Sequence, residues 1–344
     1  MRAVAMGALA TLWACQPPEV AKDTDPASSS SSPTDPTTPG TDTTPPDTSS
    51  SPTTPTDTAA PWSEDVDCSL LLDPPLTATR YNWVPGSEDF TFSADGELLN
   101  VSGGGLKATP FGGPSQLLVP LSAEPRGARL LPDGRLALAV AADGAILLVD
   151  PATGGQQIAA SGVNNPNGIA VAPDGRIYTA TSNGQVVRVD PASGAVDVVV
   201  DLPGNSFDGI VFSPDYRRLY FDEEFGQIHY VDVDAQGDLG EPHLGGRIPL
   251  GGGGFSILDG MAVDACGNLY VAEMNGTVWR VRTDGTVEDL VDVGGVAIIP
   301  ALNFGIAPVG GWRETALYVI TFTGSIYEIE VGVPGKWEPH LPAR

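Results

Sequence analysis

The sequence lacks several motifs that define common protein classes. Its 344 residues include three cysteines and three histidines. Neither a His-Glu-x-x-His nor a paired Cys-x-x-Cys motif occurs, which argues against a zinc site. No Gly-x-Ser-x-Gly motif is present either, so the sequence has no nucleophile elbow of a serine hydrolase. Helical periodicity is not sustained anywhere in the globular part, which predicts a domain almost free of helix.

Basic residues are also scarce. The chain has 17 Lys and Arg against 43 Asp and Glu, which gives a formal net charge of −26. Residues 16–67 hold ten of the acids and a single lysine, and the rest of the chain still carries an acid excess. This charge argues against nucleic acid or an anionic lipid surface as a partner. It is compatible with cation binding and equally with simple solubility.

Large apolar residues are missing from Ala21 to Pro61, where no Val, Ile, Leu, Phe, Tyr or Trp occurs and Ser, Thr, Pro and Asp dominate. Such a segment buries too little apolar surface to offset the entropy lost when a chain becomes ordered. Residues 16–67 are therefore predicted to form a disordered tether, followed by a folded domain at residues 68–344.

The first fifteen residues have the pattern of an export signal. Met1-Arg2 precedes an uncharged run from Ala3 to Ala14, which is too short to span a membrane and is typical of a signal peptide. The ending Leu-Trp-Ala-Cys resembles a bacterial lipobox, which implies that Cys15 is lipidated. Gln16 then favours the outer membrane over the inner one. We expect a protein held at the cell envelope by its lipid anchor alone, and ordinary secretion is the alternative.

A nine-residue motif that recurs six times organises the folded domain. Its clearest copy is Asn-Gly-Ile-Ala-Val-Ala-Pro-Asp-Gly at residues 167–175. Successive copies start 38 to 51 residues apart, a spacing typical of propeller blades. The copies begin at Glu88, Arg126, Asn167, Asp208, Asp259 and Asn303.

Each repeat predicts four short antiparallel strands. In the third repeat, two alternating strands are followed by the hairpin signal Asn183-Gly184 and by two further strands that flank a turn at Pro191–Gly194. The prediction is an all-β six-bladed β-propeller of four-stranded antiparallel blades, preceded by the tether. Residues near Leu70–Trp83 or Trp337–Leu341 would close the ring. Export also permits a disulfide between the remaining cysteines, Cys68 and Cys266, which the spacing leaves open.

The first residue of every copy is polar, and six equivalent positions in a ring of blades converge on one axis. Carboxylates and amides that meet there repel one another unless a cation lies between them. Such oxygen ligands suit calcium, magnesium or manganese rather than zinc. The alternative is a water-filled polar channel mouth.

Two repeats carry a family resemblance. The residues are Asp208, Ser213–Asp215, Leu219-Tyr220, Ile228–Asp232 and Gly237–Pro242 in the fourth repeat, and Asp259–Asp264 and Gly267–Ala272 in the fifth. On these residues, the chain from Glu88 to Val331 resembles the family of regucalcin (senescence marker protein), gluconolactonase and luciferin-regenerating enzyme. The resemblance implies one divalent cation, calcium first and magnesium or manganese otherwise, held by Glu88, Asp208 and Asp259. Asp208 stands where the family has asparagine, and Asn165 where it has arginine.

The function that the resemblance implies is metal-dependent hydrolysis of a lactone or related ester. We also expect the protein to be a monomer. Asp259 would be the catalytic base as well as a metal ligand. Asn167 and Asn303 would orient substrate hydroxyls, and Arg126 is a further substrate-binding candidate. The alternative is a non-catalytic propeller lipoprotein that binds a ligand or an envelope protein.

Overall fold

The computed structural model describes residues 66–251, 256–294, 298–306 and 310–342. The predicted signal peptide, Cys15 and all but the last two residues of the predicted tether lie outside these ranges. No helix in the described part of the chain is long and apolar enough to cross a membrane.

Twenty-four strands make up the described part of the chain. After β1 (Ala78–Tyr81), the strands of blades one to three are β2 (Phe90–Phe92), β3 (Glu97–Val101), β4 (Gly105–Pro110), β5 (Gln116–Pro120), β6 (Gly127–Leu130), β7 (Leu136–Val140), β8 (Ala145–Val149), β9 (Gln156–Ser161), β10 (Pro166–Val171), β11 (Ile177–Thr181), β12 (Gln185–Val189) and β13 (Val196–Asp201). Those of blades four to six are β14 (Ile210–Phe212), β15 (Arg218–Glu223), β16 (Gln227–Asp232), β17 (His243–Arg247), β18 (Leu258–Val263), β19 (Leu269–Glu273), β20 (Thr277–Val281), β21 (Val287–Asp292), β22 (Ala301–Phe304), β23 (Ala316–Ile320) and β24 (Ile326–Glu330).

These strands form six separate antiparallel sheets of four strands each. The predicted six-bladed propeller is therefore confirmed. Helical structure within the described ranges is limited to two single 3-10 turns, Cys68–Leu70 and Ala141–Asp143, which agrees with the missing helical periodicity.

The hydrophobic core lies between the blades. Six clusters of buried side chains each draw on two neighbouring blades. The cluster between blades three and four, for example, joins Tyr178 to Phe212 with their rings edge to face at 5.2 Å. Because both faces of every blade are covered by neighbours, the central strands are apolar on both sides, as in Leu136–Val140, where all five residues are buried.

The glycine at the second position of the motif lets the inner strands approach one another. A Cβ atom added at Gly168 would lie 2.2 Å from the carbonyl oxygen of Asp208 in the next blade. The Gly168 N–H donates to that same oxygen at 2.9 Å. The glycine at the second position of the motif thus sets the spacing of the inner strands. The polar side chain at the first position then lies at one end of the channel.

The N-terminal strand closes the ring. β1 pairs with β24 and becomes the outer strand of blade six, so the first of the two predicted closures is the one observed. Cys68, just ahead of β1, forms a disulfide with Cys266 in blade five. Strand pairing and a covalent bond together tie the start of the domain to its last two blades.

The C-terminal segment, residues 332–342, lies across the opposite end of the channel from the motif's first position. It contacts the far ends of inner strands in blades one, four and five, so that end of the channel is covered. The contacts are hydrogen bonds from Lys336 N to Val263 O (3.1 Å), from Tyr216 Oη to Trp337 O (2.9 Å) and between His340 Nε2 and Phe92 O (2.9 Å).

Loss of the disulfide is expected to destabilise the propeller without changing its fold. The bridge spans 198 residues, and removing a disulfide that closes a long loop releases much chain entropy in the unfolded state. The Cys68→Ser, Cys266→Ser variant should lose about 2–5 kcal/mol in free energy of unfolding, measured by urea denaturation and circular dichroism. Equal stability of the oxidised wild type and the variant would contradict this expectation.

Candidate active site at the channel mouth

The structure brings five of the six predicted residues together at the open end of the channel, which we call the mouth. Glu88, Arg126, Asn167, Asp208 and Asp259 line one cavity there. Asn167 and Asp259 lie on the inner strands β10 and β18, and the other three directly precede β2, β6 and β14 by one or two residues. The site is therefore built from the starts of five different blades.

Asn303 does not belong to this group, and the predicted start of the sixth motif was three residues too late. Asn303 pairs with Tyr318 as Ala170 pairs with Tyr178 in blade three, which makes Asn303 the fourth residue of the motif. Pro300 holds the first position and lines the mouth.

The position of Asn303 therefore does not suit the predicted substrate role. It lines a second cavity at the covered end of the channel, together with Arg129 and Lys336. The long turn between β22 and β23 caused the error, because it breaks the spacing from the motif to the second strand that the other blades keep. The tyrosine near the start of the second strand in blades three to six would have given the correct alignment.

Hydrogen bonds hold the polar groups of the mouth in place. The Asn167 side-chain amide donates to the Asp208 carboxylate in a very short contact. Arg126 Nη1 donates to the Ser182 hydroxyl at 3.4 Å. Asn167, Asp208 and Asp259 are all buried, so these groups face the channel and not bulk solvent.

Burial and mutual repulsion raise the pKa values of the mouth carboxyls. Burial raises the pKa of Asp208 to about 7, with the charges of Glu224 and Glu88 adding to this effect and Arg126 opposing it. Burial, followed by the charges of Asp208 and Glu88, raises the pKa of Asp259 well above its usual range. Burial also raises the pKa of Glu88, although the charge of Arg126 works against it.

The donor chemistry of the mouth suits a hard divalent cation. Glu88, Asp208 and Asp259 interact electrostatically across the same cavity, and a cation between them would remove the repulsion that raises their pKa values. Among the described residues, no three His, Cys, Asp or Glu side chains already stand in an arrangement that could hold a metal ion.

Two carboxylates of blade four that belong to this site were missed in the sequence. Asp222, on the second strand of blade four, lies behind Asp208 and accepts its backbone N–H at 3.3 Å. Glu224, two residues later, accepts a very short hydrogen bond from the Ser206 hydroxyl. Both lie outside the repeated motif, and a pattern defined by the motif alone does not point to them.

The fold and the site define a class: a six-bladed propeller with carboxylates and an amide converging at an open channel mouth. The family model described as the SMP-30/gluconolactonase/LRE-like region matches residues 121–322, which is more than half of the chain. The chain belongs to this family. No curated protein matches it.

Solved structures show the same fold. A gluconolactonase from Xanthomonas campestris has a TM-score of 0.61 at 21% identity, covering 78% of this chain and 96% of that one. The calcium-binding protein regucalcin from Agrobacterium tumefaciens has a TM-score of 0.59 at 20% identity, covering 77% and 95%. A luciferin-regenerating enzyme has a TM-score of 0.62 at 14% identity, covering 77% and 99%. At these identities the likeness concerns the fold.

Proposed function

We propose that the protein is a divalent-metal-dependent hydrolase of a lactone or related ester. The observation that carries this proposal is the convergence of Glu88, Asp208 and Asp259 on one buried cavity of a family propeller. Three carboxyl groups that share one buried cavity form a site for a hard cation. Calcium is the first candidate because it accepts irregular arrangements of oxygen ligands, and magnesium and manganese are the others.

The residues of the mouth divide the chemistry between them. A bound cation supplies polarisation of the ester carbonyl and stabilises the charge that develops on its oxygen. Asp259 is the base that takes a proton from the attacking water, and burial suits it to this role because it raises the carboxyl's proton affinity. Asn167 and Arg126 offer hydrogen-bond donors to substrate oxygens at the rim of the same cavity.

The test of this function is a lactone panel assayed with controlled metals. The full-length protein would be stripped of metal with EDTA and assayed with aliphatic lactones, sugar lactones and an aryl ester. A pH indicator would measure the acid that hydrolysis releases. We expect hydrolysis of at least one substrate to return on addition of calcium, magnesium or manganese and to vanish again in EDTA. Hydrolysis that is indifferent to EDTA would overturn the metal requirement.

A binding function without catalysis is the second candidate. It is favoured by the side-chain arrangement of the mouth, where no three of the metal-ligating side chains in the described ranges already stand around an ion position. Pro300 also replaces the sixth polar residue of the ring. Cation binding without turnover of any panel member would support this alternative.

The location we propose is the bacterial cell envelope, through a lipid on Cys15. The short uncharged run, the lipobox-like ending and the polar tether after it support this proposal. Cys15→Ser is expected to move the protein from the membrane fraction to the soluble fraction of its host, because the lipid would be its only anchor. Immunoblots of the two fractions check this, and a wild type that is already soluble would contradict it.

A further inference from the structure

Asp222 is a charged residue at a position that is apolar in the other five blades. It follows Phe221, whose Cα partner is Ile210, the third residue of the motif. A fully buried carboxylate destabilises a fold unless a partner offsets its desolvation, and Asp222 is fully buried. The matching positions, found from the same pairing in each blade, are Val101, Ala139, Ala180, Ala272 and Ile320.

The Asp222 carboxylate changes the hydrogen bonding at the start of the fourth inner strand. Its Oδ1 accepts the Gly209 N–H at 2.9 Å and the Asp208 N–H at 3.3 Å. In blade three the equivalent glycine, Gly168, donates to the carbonyl oxygen of the neighbouring blade at 2.9 Å, and blade five repeats this contact at 2.8 Å. In blade four the peptide between Asp208 and Gly209 therefore turns its N–H toward Asp222.

The second oxygen of Asp222 lies against the same peptide. Oδ2 is buried and has no hydrogen-bond partner in the described part of the protein. A Cβ atom added at Gly209 would lie 2.6 Å from this oxygen and 2.6 Å from Met261 Cγ. The glycine and the carboxyl group therefore fit one another, and Asp222 lies directly behind Asp208.

We propose that Asp222 is a positioning residue, which holds the peptide between Asp208 and Gly209 and so fixes the backbone from which the Asp208 carboxyl reaches the divalent cation. This inference rests on the proposed function, because it assigns Asp222 to the cation that this function requires. It explains why blade four keeps a buried carboxylate where three of the other blades keep alanine.

A positioning role for Asp222 and a purely structural role differ in their effects on stability with and without the cation. Without a cation, Asp222 is a fully buried carboxyl whose Oδ2 has no hydrogen-bond partner among the described residues, and it costs stability. With the cation, it strengthens binding. A residue that only held the strand together would stabilise the protein in both conditions.

The test compares Asp222→Ala and Asp222→Asn with Asp264→Asn as a matched control. Asp264 is another fully buried aspartate, but it accepts the Cys266 and Asn268 N–H groups in a turn far from the mouth. Titration calorimetry with calcium, magnesium and manganese separately gives the Kd values, and thermal melts in EDTA give the stability of the metal-free protein.

We expect Asp222→Ala to weaken binding of the preferred cation by about 10–100-fold. Asp222→Asn should weaken it less, because its Oδ1 still accepts both N–H groups. Asp264→Asn should leave the Kd unchanged. In EDTA, the Tm of Asp222→Ala should equal or exceed that of the wild type, whereas the Tm of Asp264→Asn should be lower.

Each contrary outcome has a distinct meaning. If the wild type binds a cation and Asp222→Ala binds it as tightly, the positioning role is wrong and the proposed function stands. If the wild type binds none of the three cations, the proposed function fails and this inference fails with it. If Asp222→Ala does not fold, Asp222→Val takes its place, because valine also accepts neither N–H group: an unchanged Kd overturns the inference and a weakened Kd supports it.

Discussion

Asp259→Asn is expected to abolish lactone hydrolysis, whereas Asp208→Asn is expected to retain it. Both changes are isosteric and both remove one negative charge from the buried mouth. Only Asp259 is assigned the role of base, and loss of a general base costs about 10²–10⁴-fold in rate. Asparagine at position 208 keeps an oxygen ligand and restores the residue that the family resemblance implies there, so activity should survive with an altered metal preference.

The measurement is kcat for the best substrate of the panel, with each variant saturated in calcium, magnesium or manganese in turn. Circular dichroism serves as the control, since both variants must retain the wild-type spectrum for the comparison to count. An equal loss of activity in the two variants would show that Asp259 has no role beyond its charge.

Raising the pH is expected to destabilise the metal-free protein, and a divalent cation is expected to reverse this. Asp208 has a pKa of about 7 in the folded protein against an ordinary value of 3.8, so its protonation favours the folded state. That stabilisation is complete below pH 4 and is lost as the pH rises through 7. Between pH 5 and pH 8, Asp208 alone should lower the free energy of unfolding by roughly 3 kcal/mol.

Cation binding replaces the protons, so the loss with pH should disappear when the cation is saturating. A cation at a hundredfold excess over its Kd also adds about 2.7 kcal/mol by mass action. Urea denaturation at pH 5, 6, 7 and 8, in EDTA and in calcium, measures both effects. Asp208→Asn is the control, because it should flatten the pH dependence in EDTA. Stability that rises with pH in EDTA would contradict the burial of these charges.

The repeated motif carried enough information to predict the fold and most of the mouth. Six copies of the motif at near-regular spacing, four of them with glycine after the first polar residue, define six inner strands. In five blades the first polar residue lies where a ring of blades would place it. In blade six the predicted start at Asn303 is three residues too late, because the long turn between β22 and β23 breaks the spacing of the motif. Pro300 has the equivalent place, and only the strand pairing with Tyr318 reveals it.

The rest of the site depends on contacts between strands, which a linear pattern does not encode. Asp222 lies on a second strand and reaches the mouth only because that strand pairs with β14. The ring closure was ambiguous for a related reason. Residues near both termini have strand-like composition, and the choice of β1 follows from its pairing with β24 at the opposite end of the chain.

The C-terminal segment leaves the channel with a single accessible end. Residues 332–342 cover one end of the channel through contacts to Val263, Tyr216 and Phe92. A small molecule therefore enters and leaves the channel through the mouth alone. Under the proposed function, a product would have to leave the mouth before the next substrate could enter it. Exchange at the mouth would then set an upper limit on turnover, however fast the ester bond is broken.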